Sequence, residues 1–191
     1  MHSICRKLHA KRGVRYSFFH IFAPDMTTQP IPARIVVAFT GHRSYAHQAD
    51  KLLRDTVASL YEEGARHFCV GMAQGFDLAA GEAIVELMTE KRNIVLECCI
   101  PYPAFAQYFD TEERACYDNI LRHATIVRYA AERYYAGIYN RRNNMLVENA
   151  THIVAWWDGS RSGTEYTLRR AKKKGCYTKN LYPDPQLTIC L

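Results

Sequence analysis

From Ala33 onward the chain alternates short, β-branched apolar runs with longer stretches of helical periodicity. That order predicts strands and helices in turn, and so a parallel sheet covered on both faces. The spacing predicts a first strand over Arg34–Phe39 and a helix over Ala46–Glu63, with Leu52, Leu53, Val57 and Leu60 as its apolar stripe and Gly64 ending it. A second strand, His67–Val70, precedes a helix over Phe76–Thr89. There Leu78, Ala79, Ala80, Ala83, Ile84 and Leu87 face inward, and Gly81 is expected to serve close helix–strand packing. Asn93–Ile100 reads as a third strand stopped by Pro101 and Pro103, followed by a helix over Ala104–Arg122. Then come a strand over Thr125–Tyr129, a helix over Tyr134–Glu148 and a strand over His152–Trp157. A helix over Thr164–Lys174 capped by Gly175 and a strand over Cys176–Leu181 complete the pattern.

The expected fold is therefore α/β, a Rossmann-like, doubly wound, mainly parallel sheet of about six strands with helices on both faces. The 191 residues suit one such domain, over 34–191, and no run approaches the length of a membrane span. Residues 1–33 read differently. They mix Arg6, Lys7, Lys11, Arg12 and Arg15 with Phe18, Phe19, Ile21 and Phe22, and no acid precedes Asp25. This weakly resembles a transit peptide but lacks the apolar segment of a secretory signal, so a poorly ordered N-terminal extension over 1–33 is expected, with a start at Met26 as an alternative.

That extension also explains the charge. The net charge is +6, but without those five basic residues 20 basic side chains face 19 acidic ones. A nearly neutral body argues against a large nucleic-acid footprint, and Lys172-Lys173-Lys174 suits the end of a helix. Seven cysteines, odd in number and without paired spacing, predict free thiols in a reducing, cytoplasmic setting. Eight histidines without ligand spacing predict no metal site.

Chemistry concentrates at three strand-to-helix junctions: Thr40-Gly41-His42-Arg43-Ser44, Gly71-Met72-Ala73-Gln74-Gly75-Phe76-Asp77, and Asp158-Gly159-Ser160-Arg161-Ser162-Gly163-Thr164. In a parallel sheet they meet along the carboxyl edge, where doubly wound folds bind ligands. Glycines admit close backbone approach, helix N-termini offer unpaired N–H groups, and hydroxyls and arginines grip phosphate. Gly41, Arg43, Gly71, Gly75, Ser160, Gly163 and Thr164 are the expected phosphate cradle, with His42 and Arg161 beside them. Asp77 repels phosphate and suits ribose hydroxyls, or else caps its helix; Glu82 is assigned a ribose or structural contact. No G-x-x-x-x-G-K-[ST], no G-x-G-x-x-G after the first strand and no G-x-S-x-G occurs, which argues against P-loop hydrolysis, ordinary hydride transfer and a serine elbow.

These loops resemble the SLOG superfamily, which holds YpsA-like proteins, DNA-processing protein A (DprA) and the LOG or "lysine decarboxylase-like" phosphoribohydrolases. The YpsA-like branch is the nearest in pattern. Its features are Gly41-His42-Arg43, Gly71-Met72-Ala73-Gln74-Gly75-Phe76-Asp77-Leu78-Ala79-Ala80-Gly81-Glu82, Tyr139-Asn140-Arg141-Arg142-Asn143 and Gly163-Thr164-Glu165-Tyr166-Thr167, across about residues 34–182. The resemblance implies a nucleotide, ADP-ribose, NAD or nucleoside-phosphate type of ligand, and often a homodimer. It places Arg141 as a second charge clamp.

The LOG enzymes pair an arginine with the glutamate of P-G-G-x-G-T-x-x-E. Here that glutamate position is Thr167, which argues against N-glycosidic hydrolysis, because that reaction needs a carboxylate near the ribose. Ser160-Arg161-Ser162-Gly163 is similar to the loop of DprA, so single-stranded DNA is a further candidate partner, with Tyr102, Tyr108, Tyr134, Tyr135 and Tyr139 available to stack bases. The expected function is binding or sensing of a nucleotide-type ligand, with no catalytic residue assigned and no membrane partner.

Overall fold

The computed structural model describes residues 34–183; the expected extension over 1–33 lies outside them, as do Cys5 and Cys190. Six strands form one sheet: β1 Val36–Gly41, β2 His67–Val70, β3 Val95–Ile100, β4 Ile126–Tyr129, β5 His152–Trp156 and β6 Tyr177–Asn180. Their order is β4-β3-β2-β1-β5-β6 and every pairing is parallel. The helices are α1 Asp50–Glu62, α2 Phe76–Glu90, α3 Thr111–His123, α4 Ile138–Glu148 and α5 Gly163–Lys174. The fold is thus a doubly wound, Rossmann-like α/β sheet, and the strand order reverses between β1 and β5.

Alternation along the strands splits the core in two. Val37 and Phe39 join Phe68, Val70, Leu96 and Ile100 under α1, α2 and α3. Val36 and Ala38 join Ile153 and Ala155 under Leu146 of α4 and Leu168 of α5. Among the described residues no helix is long and apolar enough to cross a membrane.

The differences from the sequence expectation are local. α1 starts at Asp50, because Tyr45 turns inward and His47 takes φ 64, a left-handed conformation that a helix cannot include. Leu52 is 45% exposed and stands off the buried stripe of Leu53, Val57 and Leu60. The helix expected over 104–122 is two pieces, a short 3-10 turn at Phe105–Tyr108 and then α3. Phe109 is extended, and Asp110 and Glu113 form a reciprocal capping box that starts the helix afresh. α4 begins only at Ile138, which leaves Tyr134 and Tyr135 in the preceding loop. Gly81 meets Ile120 of α3 rather than a strand, so its lack of a side chain serves helix–helix contact.

Candidate functional site

The strand reversal opens a cleft of about 430 Å3 at the carboxyl edge. Its walls come from the β1–α1 loop (Thr40, Gly41, His42, Arg43), the start of α2 (Ala73, Asp77), the start of α4 (Tyr139, Asn140, Arg142, Asn143) and the start of α5 (Ser162, Gly163, Thr164). The volume lies in the range of small-molecule sites.

Asp77 and Arg142 form a buried ion pair in this wall. Arg142 Nη1 donates to Asp77 Oδ2 at 2.9 Å and also to the Gly71 carbonyl, while the Ala73 N–H donates to Asp77 Oδ2 at 3.3 Å. The side chains are only 5% (Asp77) and 7% (Arg142) exposed. Burial pushes the Asp77 carboxyl upward from its ordinary range, against the opposing pull of Arg142. One atom of each remains unused: Asp77 Oδ1 and Arg142 Nε are buried without a hydrogen-bond partner. In a native interior such groups are nearly always satisfied.

Gly71 belongs to this pair rather than to a ligand, since a Cβ there would overlap both the Arg142 guanidinium and the Asp77 carboxylate. Gly75 has a different steric task. Its φ of +73° and its approach to the Arg43 carbonyl bring two loops into backbone contact.

The helix N-termini are not equivalent. Asp77 sits in the first turn of α2 and Asp50 in that of α1, so each of these positive ends already faces a carboxylate of its own chain. At α5 the Ser162 hydroxyl accepts the Glu165 N–H, and Glu165 itself pairs with Arg169. Gly163 and Thr164 line the cleft here, and the first-turn acid of α5, Glu165, is not among the lining residues whereas Asp77 is, which favours α5 over α2 as an anion position.

Further bonds join the walls. His42 Nε2 pairs with Asp158 Oδ1 at 2.8 Å, and the Asn143 amide donates to the Gly163 carbonyl at 3.2 Å. The Asp158 carboxyl is held down to about 2 by hydrogen bonds from Ser160, with a smaller contribution from His42.

Of the residues expected at the site, Gly41, His42, Arg43, Asp77, Gly163 and Thr164 line the cleft. The others do not. Gly75 and Glu82 border a neighbouring acidic depression with Asp110, Glu112 and Glu113. Ser160 shapes its loop through backbone bonds to Asp158 and Trp157, and Arg161 is exposed outside the lining. Arg141 is exposed as well; Arg142, turned by one residue of helix, occupies the interior. Thr167 is fully buried and donates to the Gly163 carbonyl. Tyr139, Asn140, Arg142 and Asn143 were missed as lining residues, although the i, i+3, i+4 spacing of Tyr139, Arg142 and Asn143 marks one helix face.

A second buried polar group lies within the sheet. His67 Nε2 meets Glu97 Oε2 at 2.7 Å, and Arg128 Nη1 donates to Glu97 Oε1 at 3.0 Å. Burial would raise the Glu97 carboxyl, but hydrogen bonds from Arg128 and His67 outweigh it and hold the group below its ordinary value. With Cys69, these residues bring potential metal-ligand atoms within 4.8 Å of one another. Here those atoms bond to each other, and Arg34 and Arg128 approach His67 and Glu97. Burial, with the nearby Glu97, pushes the Cys98 and Cys99 thiols up to about 12, so they stay protonated.

The profile of the YspA SLOG family (YpsA) matches residues 35–187. A UPF0398 protein of Bacillus thuringiensis (strain Al Hakam) is 25% identical over 128 residues, 65% of this chain and 70% of its own. One from Halalkalibacterium halodurans is 26% identical over 153 residues, 73% of this chain and 81% of its own. Among solved structures, DNA processing protein A (DprA) from Streptococcus pneumoniae superposes with a TM-score of 0.59 at 19% identity, over 76% of this chain and about half (49%) of that one. DprA from Helicobacter pylori, solved for its single-stranded DNA binding mode, gives 0.59 at 15% identity, over 83% and 72%. At such identities the structural likeness is one of fold.

Proposed function

Because the chain belongs to the YspA SLOG family, we propose that its cleft binds a nucleotide or nucleotide-derived ligand, with phosphate at the start of α5 and a sugar hydroxyl at the Asp77–Arg142 pair. The observation that carries this reading is the cleft at the strand reversal, where the Gly163 and Thr164 helix start, the Arg43 side chain and the polar Asp77–Arg142 pair come together. Gly163 and Thr164 N–H groups supply the anion site, and Arg43 at the rim supplies a bidentate cation.

Binding is favoured over glycosidic hydrolysis. The cleft carboxylate, Asp77, is committed to Arg142, and Thr167 is buried behind the loop. A single-stranded DNA reading is supported by exposed Arg43 and Arg161, by exposed Tyr134 and Tyr135, and by the fold shared with DprA. It ranks second because a strong polyanion site requires many cations, and the chain beyond residue 25 is almost neutral.

The deciding experiment is a thermal-shift panel of nucleoside monophosphates, NAD, ADP-ribose and a single-stranded oligonucleotide, with each mixture then analysed by mass spectrometry. A ligand at 100 times its Kd stabilises the fold by about 2.7 kcal/mol. Stabilisation by an intact mononucleotide supports the proposal, and release of a free base makes the protein an enzyme. A shift with the oligonucleotide alone, lost steeply with salt, replaces the proposal with the DNA reading.

A further inference from the structure

Beside the phosphate and hydroxyl positions stands a group of aromatic rings. Tyr139 lines the cleft, and its ring centroid is 6.2 Å from that of Tyr134 and 6.1 Å from that of Phe105. Tyr102 lies 5.9 Å from both Tyr134 and Phe105. Behind them Phe105 meets Phe109 at 5.5 Å, and Phe109 meets Tyr117 at 5.6 Å, mostly edge to face. Phe105 and Tyr117 are 6% and 4% exposed, so the group is anchored in the core. Tyr134, at its outer end, is 60% exposed.

Tyr134 keeps most of its surface in water, while the half-buried Tyr102 and Tyr139 rings contact it. Arg43 lies over the Tyr139 ring, its guanidinium carbon 5.7 Å from the centroid, and is long and exposed enough to cover a planar guest. Asn140, next in sequence, also lines the cleft, and its amide offers one donor and one acceptor edge.

We propose that Tyr102, Tyr134 and Tyr139, with Arg43 opposite, form the stacking subsite for the base of the ligand, and that Asn140 reads the edge of that base. The inference rests on the nucleotide reading of the cleft and extends it. That reading needs only phosphate and hydroxyl contacts, which a base-free sugar phosphate also makes. The subsite requires a planar heteroaromatic ring. Its anchoring lowers the ordering cost of stacking, because two of the three rings are held before a ligand arrives.

The test measures Kd by isothermal titration for the four common ribonucleoside 5′-monophosphates and for ribose 5-phosphate, in the wild type, Tyr134→Ala and Tyr139→Phe. At least one nucleotide is expected to bind the wild type well ahead of ribose 5-phosphate. Tyr134→Ala should weaken that nucleotide roughly 5- to 100-fold while leaving ribose 5-phosphate unchanged, the range expected for one base stacked on one aromatic ring. Tyr139→Phe, which keeps the ring, should retain most of the preference. Equal affinity for nucleotides and ribose 5-phosphate, or a Tyr134→Ala variant that binds both as the wild type does, overturns the base subsite and leaves the phosphate cleft standing. A wild type that binds none of the five compounds overturns this inference, and one that also shows no thermal shift with NAD or ADP-ribose overturns the nucleotide reading.

Discussion

Replacing Arg142 with methionine probes the centre of the site. Methionine keeps much of the length and volume of the side chain but removes the guanidinium that pairs with Asp77 at 2.9 Å and bonds the Gly71 carbonyl. The variant leaves a buried carboxylate whose remaining hydrogen bond is the 3.3 Å contact from Ala73. Breaking a buried pair by removing one partner costs about 3–5 kcal/mol. In a chain of this size that corresponds to a fall in Tm of roughly 6–20 °C. Thermal and urea unfolding followed by circular dichroism would measure it.

The pH dependence carries a separate sign. Without Arg142 the Asp77 pKa in the folded state is raised further above its unfolded value, so the folded variant holds the proton where the unfolded chain has released it. Its Asp77 contribution is therefore fully present below the unfolded pKa of about 4 and lost as pH rises through the folded pKa. Arg142→Met should accordingly recover part of its deficit in mild acid, and adding Asp77→Asn should restore much of the loss at neutral pH. A loss under about 1 kcal/mol, well short of that range, or a double variant as unstable as the sum of its parts, would refute the account of Asp77 and Arg142 as a coupled buried pair.

Gly75→Ala should destabilise the fold by about 2 kcal/mol or more, since it adds left-handed backbone strain at φ +73° to a Cβ clash with the Arg43 carbonyl; urea unfolding at neutral pH measures it, and a neutral result removes the close-approach argument. Glu97 has a lowered folded pKa, so its contribution is present above the unfolded value of 4.5 and lost as pH falls through the folded one. Tm measured between pH 6 and pH 3, at about half-unit steps, should therefore fall less steeply in Glu97→Gln, and an unchanged slope would assign the acid sensitivity elsewhere. Arg43→Ala should weaken nucleotide binding about tenfold or more with little change in Tm, whereas Arg141→Ala should leave the affinity as it was; equal effects of the two variants in titration calorimetry would exclude Arg43 as the rim contact.

The sheet was legible because its strands are short β-branched runs bounded by turn residues. β2 falls over His67–Val70 as expected, and the other strands differ by a few residues at their ends. The split of the 104–122 segment carried its own signal, Asp110 three residues before Glu113, which outweighs the helical periodicity on either side. At the cleft, the glycine-bearing loops were visible but the division of labour among them was not. Gly71 is a glycine because Arg142 arrives from 71 positions later in the chain, and no local pattern reveals that partner. The choice of Arg142 over Arg141 depends on the rotation of α4, which is set by burial of Ile138 and Leu146. His67 and Glu97 were equally hidden, since their contact follows from the β2–β3 register.

The bonds that join the cleft walls also bear on how fast a ligand can come and go. His42 with Asp158, Asn143 with Gly163 and Arg142 with Gly71 tie together segments from both sides of the strand reversal before anything is bound. Among the described residues the cleft walls are thus joined before a guest arrives. Its observed association rate should rise in proportion to concentration without reaching a plateau. Damage to the walls should show mainly as shorter residence, because a site already assembled is reached as often but held less firmly.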